Sequence, residues 1–274
     1  MSTWDGPPPP PAPTFGPGNW ALVLLRGIPM AVVVFGGLLL LLLVRLVERP
    51  ICGMDRPVTP WITLCVCRTA LAIMGLRVET RGTFLREPGA IVANHSSWLD
   101  IFVLNSRKCI YFVSKAEVAG WPGIGWLARA TGTVFIRRDR SEAKRQTEIF
   151  EDRLMHGHKL LFFPEGTSTD GLRVLPFKTT LFAAFFSQRL EHAMHMQALS
   201  MRYIAPKGAP DAFYGWWGDM DFGGSLVKML GTPRHGTVRL IYHTPVRVDD
   251  FPNRKTLAAH LEQQVREGFG RPLD

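Results

Sequence analysis

The sequence predicts an α/β protein with a mostly parallel or mixed central sheet flanked by helices, preceded by an N-terminal membrane-associated helix pair. Beyond residue 77, short apolar runs rich in β-branched and aromatic residues alternate with helical segments, which is typical of a layered α/β sheet. Before residue 77, two long apolar segments follow one another. The chain has 274 residues, 46% hydrophobic and 20% charged, so it is long enough for a core that needs no disulfides or metal.

The beginning of the chain is rich in proline. Residues 6–17 read GPPPPPAPTFGP, and seven of the 21 prolines fall before residue 18. Such a segment favours the extended polyproline II conformation and offers few side chains that pack. We therefore expect residues 1–18 to form a Pro-rich disordered tail.

The next segment is the most hydrophobic part of the chain. Gly27–Val44 contains 18 residues without a charge, which is long enough for a membrane-helix candidate. Trp20 lies near one end, and Arg45 and Arg49 follow the other, as interfacial anchors do. Because basic side chains cluster after this run rather than before it, the positive-inside rule predicts a cytoplasmic C-terminal side.

A second apolar segment, Val58–Leu76, is interrupted by Arg68, whose charge is costly in hydrocarbon. We interpret this segment as a re-entrant or interfacial helix packed on the first one. A buried helix of the soluble domain is the alternative. Residues 19–77 are therefore expected to form the hydrophobic membrane-anchoring helices, and residues 78–274 the folded domain that follows them.

Periodicity and composition predict the elements of that domain. Strands are expected at Ala90–Ala93, Ile110–Val113, Thr133–Ile136, Leu160–Phe163, Met196–Ile204 and Thr237–Val248. Helices are expected at Trp121–Ala130, Ser141–Met155, Thr179–Gln188 and Lys255–Glu267.

The charge balance and the cysteines indicate which kinds of ligand and metal site to expect. The chain has 32 Lys and Arg against 23 Asp and Glu, a formal net charge of +9, which favours nucleic acid, anionic lipid or anionic substrates. No helix–turn–helix, zinc-finger or RNP-type signature is evident, so nucleic acid is not an expected partner. The four cysteines form no C-x-x-C pair, so reduced thiols are expected and no metal site.

The first candidate site follows the strand Ala90–Ala93, where the chain reads NHSSWLD. His95 is expected at the carboxyl end of the strand, where ligands of α/β sheets collect. Ser96 or Ser97 is expected to cap a helix that places Asp100 about one turn in. A carboxylate on one imidazole nitrogen fixes the tautomer and leaves the other nitrogen free as a base. A polar helix cap without catalytic function is the alternative.

Two further motifs follow predicted strands. Phe163 is followed by Pro-Glu-Gly-Thr, which puts a carboxylate at Glu165 and a conformationally permissive glycine at Gly166 at the same sheet edge. An ordinary turn is the alternative. The strand Thr133–Ile136 delivers arginines, including Arg138, to its carboxyl end, and arginine is suited to bidentate capture of phosphate or carboxylate.

These motifs, in this order and spacing, resemble those of the glycerolipid acyltransferase family, whose best-known members acylate 1-acylglycerol-3-phosphate. The segments NHSSWLD, FIRRD and FPEGTS carry the resemblance, which covers roughly residues 60–250. The resemblance implies that His95 is the general base and Asp100 its orienting carboxylate. It also implies an acceptor site formed by Arg138 as the head-group ligand and by Glu165, Gly166 and Thr167.

A finer resemblance lies downstream. The segment FYGWWGDM at Phe213–Met220, together with FPEGTSTDGLRVLPFK, resembles the branch that acylates lyso-ornithine lipid. The head group of that lipid carries an ammonium and a carboxylate, so we expect Asp219 or Asp221 to meet the ammonium and Arg138 the carboxylate. The aromatic pair suits a membrane interface or an acyl-chain wall, with ordinary core packing as the alternative.

The resemblance implies a membrane-associated O-acyltransferase that moves a fatty acyl group from an acyl thioester to a lysolipid hydroxyl. The expected acceptor is lyso-ornithine lipid, with 1-acylglycerol-3-phosphate as the alternative, and residues 78–274 become the acyltransferase domain. Acyl carrier protein or coenzyme A carries the acyl group, and no cofactor or metal is expected. The expected location is the inner (cytoplasmic) membrane, with the catalytic domain facing the cytoplasm. The alternative from another class is a non-catalytic basic membrane-binding protein.

Overall fold

The computed structural model of the chain describes Trp4 and residues 6–10, 14–136, 143–190 and 192–270. The helices in these ranges are α1 (Pro17–Cys52), α2 (Thr59–Met74), α3 (Leu99–Asn105), α4 (Ile124–Ala130), α5 (Ala143–Met155), α6 (Phe222–Gly231) and α7 (Arg254–Gly270). The strands are β1 (Arg77–Arg81), β2 (Gly89–Ala93), β3 (Tyr111–Lys115), β4 (Val134–Ile136), β5 (Leu160–Phe162), β6 (His195–Ile204), β7 (Thr237–Tyr242) and β8 (Val246–Arg247).

These strands form one mixed sheet in the order β1-β7-β6-β2-β5-β3-β4, with β8 paired to β6. Strand β6 pairs antiparallel with β7 and β8, and every other described pairing is parallel. The predicted fold class is confirmed. Because β2, β3, β4 and β5 are parallel to one another, their carboxyl ends meet at one edge of the sheet.

The core lies on both faces of the sheet. All five residues of β2 are buried. Ile91 and Ala93 join a cluster that contains residues of α1, α2, α3 and α6. Ala90 and Val92 join a second cluster, formed with α5, α7 and the aromatic segment around Phe182. A strand covered on both faces reads as a continuous apolar run, which explains why the sequence predicted β2 so directly.

Helix α1 is long and apolar enough to cross a membrane by length and composition. It is nevertheless hydrogen-bonded to other parts of the protein in both of its halves. Near its start, Arg26 Nη1 donates hydrogen bonds to the carbonyls of Leu230 and Thr232, 3.2 and 2.6 Å away. Near its end, Glu48 accepts a hydrogen bond from the Thr59 hydroxyl at 2.7 Å. One face of α1 therefore lies along the protein, while its other face exposes leucine, isoleucine and valine side chains.

Helix α2 packs on α1, as its interpretation as an interfacial helix requires. Its last turns also enter the domain core, where Ala70, Leu71 and Met74 are buried. The guanidinium of Arg68 lies against the rest of the protein, where its Nε donates a hydrogen bond to the carbonyl of Ser106 at 2.8 Å.

Two predicted elements differ from the structure. Thr179–Gln188 is not a regular α-helix but a short 3-10 segment, Leu181–Phe186, whose aromatic rings Phe182 and Phe185 fill the core. The long strand predicted at Thr237–Val248 is divided into β7 and β8, with Pro245 directly before β8. Proline lacks the N–H that a continuous strand would use in the ladder.

Two elements were missed. Strand β1 reads RVETR and is largely exposed, so it lacks the apolar alternation that marks a strand. It forms because it pairs in parallel with β7 over its whole length. Helix α6 begins after Asp221, whose side chain accepts a hydrogen bond from Gly224 N, and two glycines in its first turns weaken its helical pattern.

The described part of the Pro-rich leader contacts the domain. The Trp4 ring lies 6.2 Å from the Trp217 ring, and the Arg173 guanidinium lies 5.5 Å from the centre of the Trp4 ring. The carbonyl of Pro7 accepts a hydrogen bond from Trp217 Nε1 at 2.9 Å. The composition of the leader did not predict these contacts.

Candidate active site

The end of β2 is held by Asn94. Its amide nitrogen donates to the carbonyl of Met201 on β6, and its amide oxygen accepts from the Met201 N–H, both at 2.8 Å. The side chain thus continues the strand pairing by one position beyond β2. The next residue, His95, is therefore presented at a fixed point on the carboxyl edge of the sheet.

His95 and Asp100 form the pair that their spacing predicted. His95 Nδ1 lies 2.7 Å from Asp100 Oδ2, and the same oxygen accepts the backbone N–H groups of Ser96 and Ser97 at 2.8 and 3.1 Å. Asp100 Oδ1 accepts the Tyr203 hydroxyl at 2.7 Å. A fully buried carboxylate with four such donors is held rigidly in one orientation.

The helix start differs from the prediction. Helix α3 begins at Leu99 after Trp98, and neither Ser96 nor Ser97 caps it by a well-formed side-chain hydrogen bond. Instead, the Asp100 carboxylate reaches back over the first turn and accepts both serine N–H groups. The same carboxylate therefore orders the loop and orients the imidazole.

One face of the His95 ring is covered by an aromatic side chain, whereas the Nε2 edge of the ring is open. It stacks on Phe163 with ring centroids 4.1 Å apart and an interplanar angle of 9°. Because Asp100 Oδ2 is an acceptor, the Nδ1 nitrogen carries the proton, and the Nε2 lone pair is available. No described side chain hydrogen-bonds to Nε2, and the His95 side chain is 20% exposed. The ring is thus positioned to accept a proton from a ligand.

Glu165 holds the backbone of this loop by hydrogen bonds and does not face an open site. Its two oxygens accept the backbone N–H groups of His95 and Leu175, each at 2.6 Å. Burial raises the pKa of Glu165 to about 8, while the two backbone donors act in the opposite direction. Gly166 follows in a left-handed conformation with φ of 73°, which favours glycine. Thr167 is half-buried next to this turn.

Two residues that the sequence did not single out, Thr169 and Asp170, complete the sheet edge at His95. Thr169 donates both its N–H and its hydroxyl to the carbonyl of His95, at 3.0 and 3.1 Å. The buried carboxylate of Asp170 pairs with Arg173 at 2.7 Å and accepts the N–H of Leu172 at 3.0 Å. The Asp-Gly turn signal was visible in the sequence, but the return of the chain to His95 was not.

The aromatic segment after β6 lies beside the same loop. The N–H of Trp216 donates to the carbonyl of Ser96 at 2.9 Å, and a Cβ on Gly215 would lie 2.5 Å from the carbonyl oxygen of Asp170. Asp221, predicted to meet the acceptor's ammonium, caps α6 by accepting the Gly224 N–H at 2.6 Å. Asp219 is exposed.

Arg138 lies outside the described residues. Strand β4 ends at Ile136 and is parallel to β3, so the chain leaves the described part of this region at the same sheet edge as His95. Among the residues that the structure describes, no group of three or more His, Cys, Asp or Glu side chains is placed to hold a metal ion.

Comparison with known proteins places this site in a family. Residues 75–202, which include His95, Asp100 and Glu165, match the acyltransferase family. The lyso-ornithine lipid O-acyltransferase of Rhodobacter capsulatus is 56% identical over 268 residues, covering 97% of this chain and 96% of the relative. The chain belongs to the acyltransferase family. The prediction of an acyltransferase enzyme is thereby confirmed over the alternative of a non-catalytic membrane-binding protein.

A second relative agrees with this acyltransferase assignment, and a solved structure has the same fold. The lyso-ornithine lipid O-acyltransferase of Rhizobium meliloti is 33% identical, covering 91% of this chain and 86% of the relative. The crystal structure of the 1-acyl-sn-glycerophosphate acyltransferase PlsC from Thermotoga maritima matches with a TM-score of 0.63. It is 22% identical and covers 93% of this chain and 98% of that one. The structural match shows that the acyltransferase shares the fold.

Proposed function

We propose that this acyltransferase moves a fatty acyl group from an acyl thioester to the hydroxyl of lyso-ornithine lipid, with His95 and Asp100 as its catalytic residues. The observation that carries the mechanism is the His95 imidazole, held by Asp100 at the sheet edge with Nε2 open. The names of the two relatives support the acceptor.

The chemistry follows from the open nitrogen. Nε2 of His95 takes the proton of the acceptor hydroxyl as its oxygen attacks the thioester carbonyl and forms the new C–O bond. The tetrahedral intermediate then breaks its C–S bond, and the imidazolium returns the proton to the departing sulfur. Asp100 stabilises the imidazolium between these steps. Such positioned acid–base catalysis contributes roughly 10²–10⁴-fold to the rate.

The donor in this proposal is an acyl group on acyl carrier protein or coenzyme A. Both carriers present the same thioester, so the steps at His95 are identical for either one. No cofactor takes part in the proposed reaction. Holding donor and acceptor together at one sheet edge supplies a further large part of the rate.

The acceptor's head group is assigned to the loops that border His95. Arg138 is the proposed partner of its carboxylate, while Glu165, Gly166 and Thr167 shape the acceptor site through the loop that supports His95. The proposed ammonium contact falls to Asp219, because Asp221 is occupied as the cap of α6. Asp219 follows Trp216 by three residues, and Trp216 is hydrogen-bonded to the His95 loop.

A membrane location follows from the substrate and from α1. This lipid-synthesising family acts on membrane-soluble acceptors, and α1 exposes an apolar face along the domain. We place the enzyme on the inner (cytoplasmic) membrane with the catalytic domain facing the cytoplasm, because Arg45 and Arg49 follow the apolar run.

A side-by-side assay tests the acceptor. Purified enzyme is given lyso-ornithine lipid and lysophosphatidate of matched acyl chain with a single acyl thioester donor. The proposal predicts a higher kcat/KM for lyso-ornithine lipid, and Asp219→Asn should lower that preference while Asp211→Asn, an exposed control, should not. A higher kcat/KM for lysophosphatidate would reject the proposed acceptor while leaving the acyltransferase assignment in place.

A further inference from the structure

A cavity of about 770 Å³ lies between the C-terminal end of α1 and the region of α4 and α5. His158, which lines this cavity, precedes β5, whereas Phe163, which stacks on His95, follows it. Five residues of extended chain span roughly 16 Å. The cavity is therefore at the sheet edge opposite the catalytic loop, and we call it the arginine cavity.

The arginine cavity is strongly cationic. Its lining contains no acidic side chain and five arginines: Arg45, Arg49, Arg56, Arg129 and Arg153. Arg45 pairs with Glu48 at 3.1 Å, but the other four form no ion pair with a residue that the structure describes. Positive charges at close quarters repel one another, and Glu48 balances only part of the charge of these arginines, so the cavity favours an anionic ligand.

A buried donor without an acceptor lies in the same wall. Arg153 Nε donates to His158 Nδ1 at 2.6 Å, which leaves the proton of the neutral imidazole on Nε2. Burial lowers the pKa of His158 to about 4, so the ring is neutral at physiological pH. His158 is 7% exposed, and its Nε2 has no hydrogen-bond partner among the described residues. Through its arginine side chains the cavity offers N–H donors and positive charge, and its lining contains no carboxylate.

The opposite wall is apolar and belongs to α1. Leu38, Leu41 and Leu42 precede Arg45 and Arg49 at helical spacing, so leucines and arginines share one face. Along the helix axis, Leu38 and Arg49 are about 17 Å apart, which is comparable to the roughly 15 Å of hydrocarbon in one leaflet. A ligand that fits this wall has an anionic head and an alkyl tail.

The cavity opens at a surface suited to a membrane interface. Trp126 lines the cavity and is 63% exposed, and Leu42 lines it with 47% exposed. Tryptophan is enriched where hydrocarbon meets head groups. Basic pockets beside membrane helices are suited to lipid phosphates.

We propose that the arginine cavity binds the head-group phosphate of an anionic membrane phospholipid, with an acyl chain lying along Leu38, Leu41 and Leu42. This lipid is neither acceptor nor donor, because the catalytic His95 lies at the opposite edge. Its binding ties the C-terminal end of α1 to α4 and α5 at the membrane surface.

The test measures lipid binding to the full-length protein in detergent micelles, with phosphatidylglycerol as the probe and phosphatidylcholine as the zwitterionic comparison. The variant Arg49→Gln with Arg129→Gln removes two exposed arginines from the cavity. The control Arg247→Gln with Arg254→Gln removes the same charge from β8 and the start of α7. Inorganic phosphate and coenzyme A are added separately as soluble competitors.

We expect the wild-type protein to prefer phosphatidylglycerol, and the cavity variant to bind it about tenfold more weakly. The control variant should bind as the wild type does, and millimolar inorganic phosphate or coenzyme A should not displace the lipid. Equal loss of binding in both double variants would show general charge attraction and overturn the proposal. Displacement by either soluble anion would assign the cavity to a soluble ligand and overturn it as well.

Discussion

The orientation of the His95 imidazole depends on contacts from three separate parts of the chain. Asp100 holds Nδ1 from α3, Phe163 stacks on the ring from the end of β5, and Tyr203 on β6 holds the other oxygen of Asp100. Because the first two contacts hold the ring and the third holds Asp100, Nε2 is pre-organised for proton transfer.

Asp100→Asn should leave the fold intact and remove most of the activity. An asparagine of the same shape keeps one acceptor oxygen for the loop, but its neutral amide neither stabilises the His95 imidazolium nor fixes the tautomer as the carboxylate does. We expect kcat to fall by about 10³–10⁴-fold, the order that loss of an orienting carboxylate produces. Steady-state kinetics with a thermal-unfolding control measure this, and turnover close to that of the wild type would contradict the role of Asp100.

Tyr203→Phe tests a residue that positions Asp100 without touching substrate. Removal of the hydroxyl leaves Asp100 Oδ1 without its donor, so we expect kcat to fall by about tenfold while KM is unchanged. Tyr214→Phe is the matched control, because that buried hydroxyl accepts the N–H of Gly236 at 2.8 Å and does not contact Asp100. A parallel loss in both variants would indicate a structural effect alone.

Glu165 predicts a pH dependence of stability. Its folded pKa of about 8 lies above the ordinary value of 4.5, so between these values the folded protein binds more protons than the unfolded chain. Stability from this group therefore falls as pH rises through that window. Glu165→Gln lacks this dependence and sets an amide donor against a backbone N–H, at a cost of about 1–3 kcal/mol.

The deficit of Glu165→Gln relative to the wild type should therefore be larger at pH 5 than at pH 8. Unfolding followed at several pH values in one detergent measures it. A deficit that does not change with pH would show that Glu165 does not titrate in this range.

At the scale of elements, apolar runs predicted the central strands well, because β2 and β5 are buried on both faces. Elements whose formation depends on distant partners were missed. The polar strand β1 needs β7, and the segment around Phe182, predicted as an α-helix, is a short 3-10 segment. The spacing of His95 and Asp100 predicted their pairing, but Tyr203 was not predictable, since only the sheet topology brings β6 to that carboxylate.

Helix α1 should hold the protein on membranes against high salt. Its outer face exposes many large apolar side chains, which include Leu24, Leu25, Ile28, Phe35, Leu39, Leu43 and Leu46. Burying such a face contributes on the order of 10 kcal/mol or more, and salt screens only the basic contacts. Sedimentation of membranes in 1 M salt (~3 Å screening length) checks this. Release of the protein by salt alone would contradict anchoring by α1.

Removal of residues 1–77 is a poorer test of anchoring, because it would also damage the fold. Met30, Ala70, Leu71 and Met74 are buried in the core that covers one face of the sheet. Their loss would expose the sheet to solvent. Sedimentation would then not distinguish misfolded protein from membrane-bound protein. Helices α1 and α2 and the sheet with its other helices are therefore one packed structure rather than a domain on a separable stem.

On the scale of the whole molecule, the catalytic loop and the arginine cavity lie at opposite edges of one sheet. Helix α1 packs against α2 and α6. In the proposed function, the exposed apolar face of α1 lies in the membrane that supplies the lipid acceptor. In the proposed reaction, the acceptor reaches His95 from the membrane and the thioester donor reaches it from the aqueous phase.

The most direct test of acyl transfer at His95 is lipid mass spectrometry of a host that accumulates lyso-ornithine lipid. The host expresses either the wild-type chain or His95→Ala, with equal amounts of each protein confirmed in the membrane fraction. We expect ornithine lipid to form with the wild-type chain and lyso-ornithine lipid to persist with His95→Ala. Equal formation of ornithine lipid by both proteins would contradict the assignment of His95 as the base.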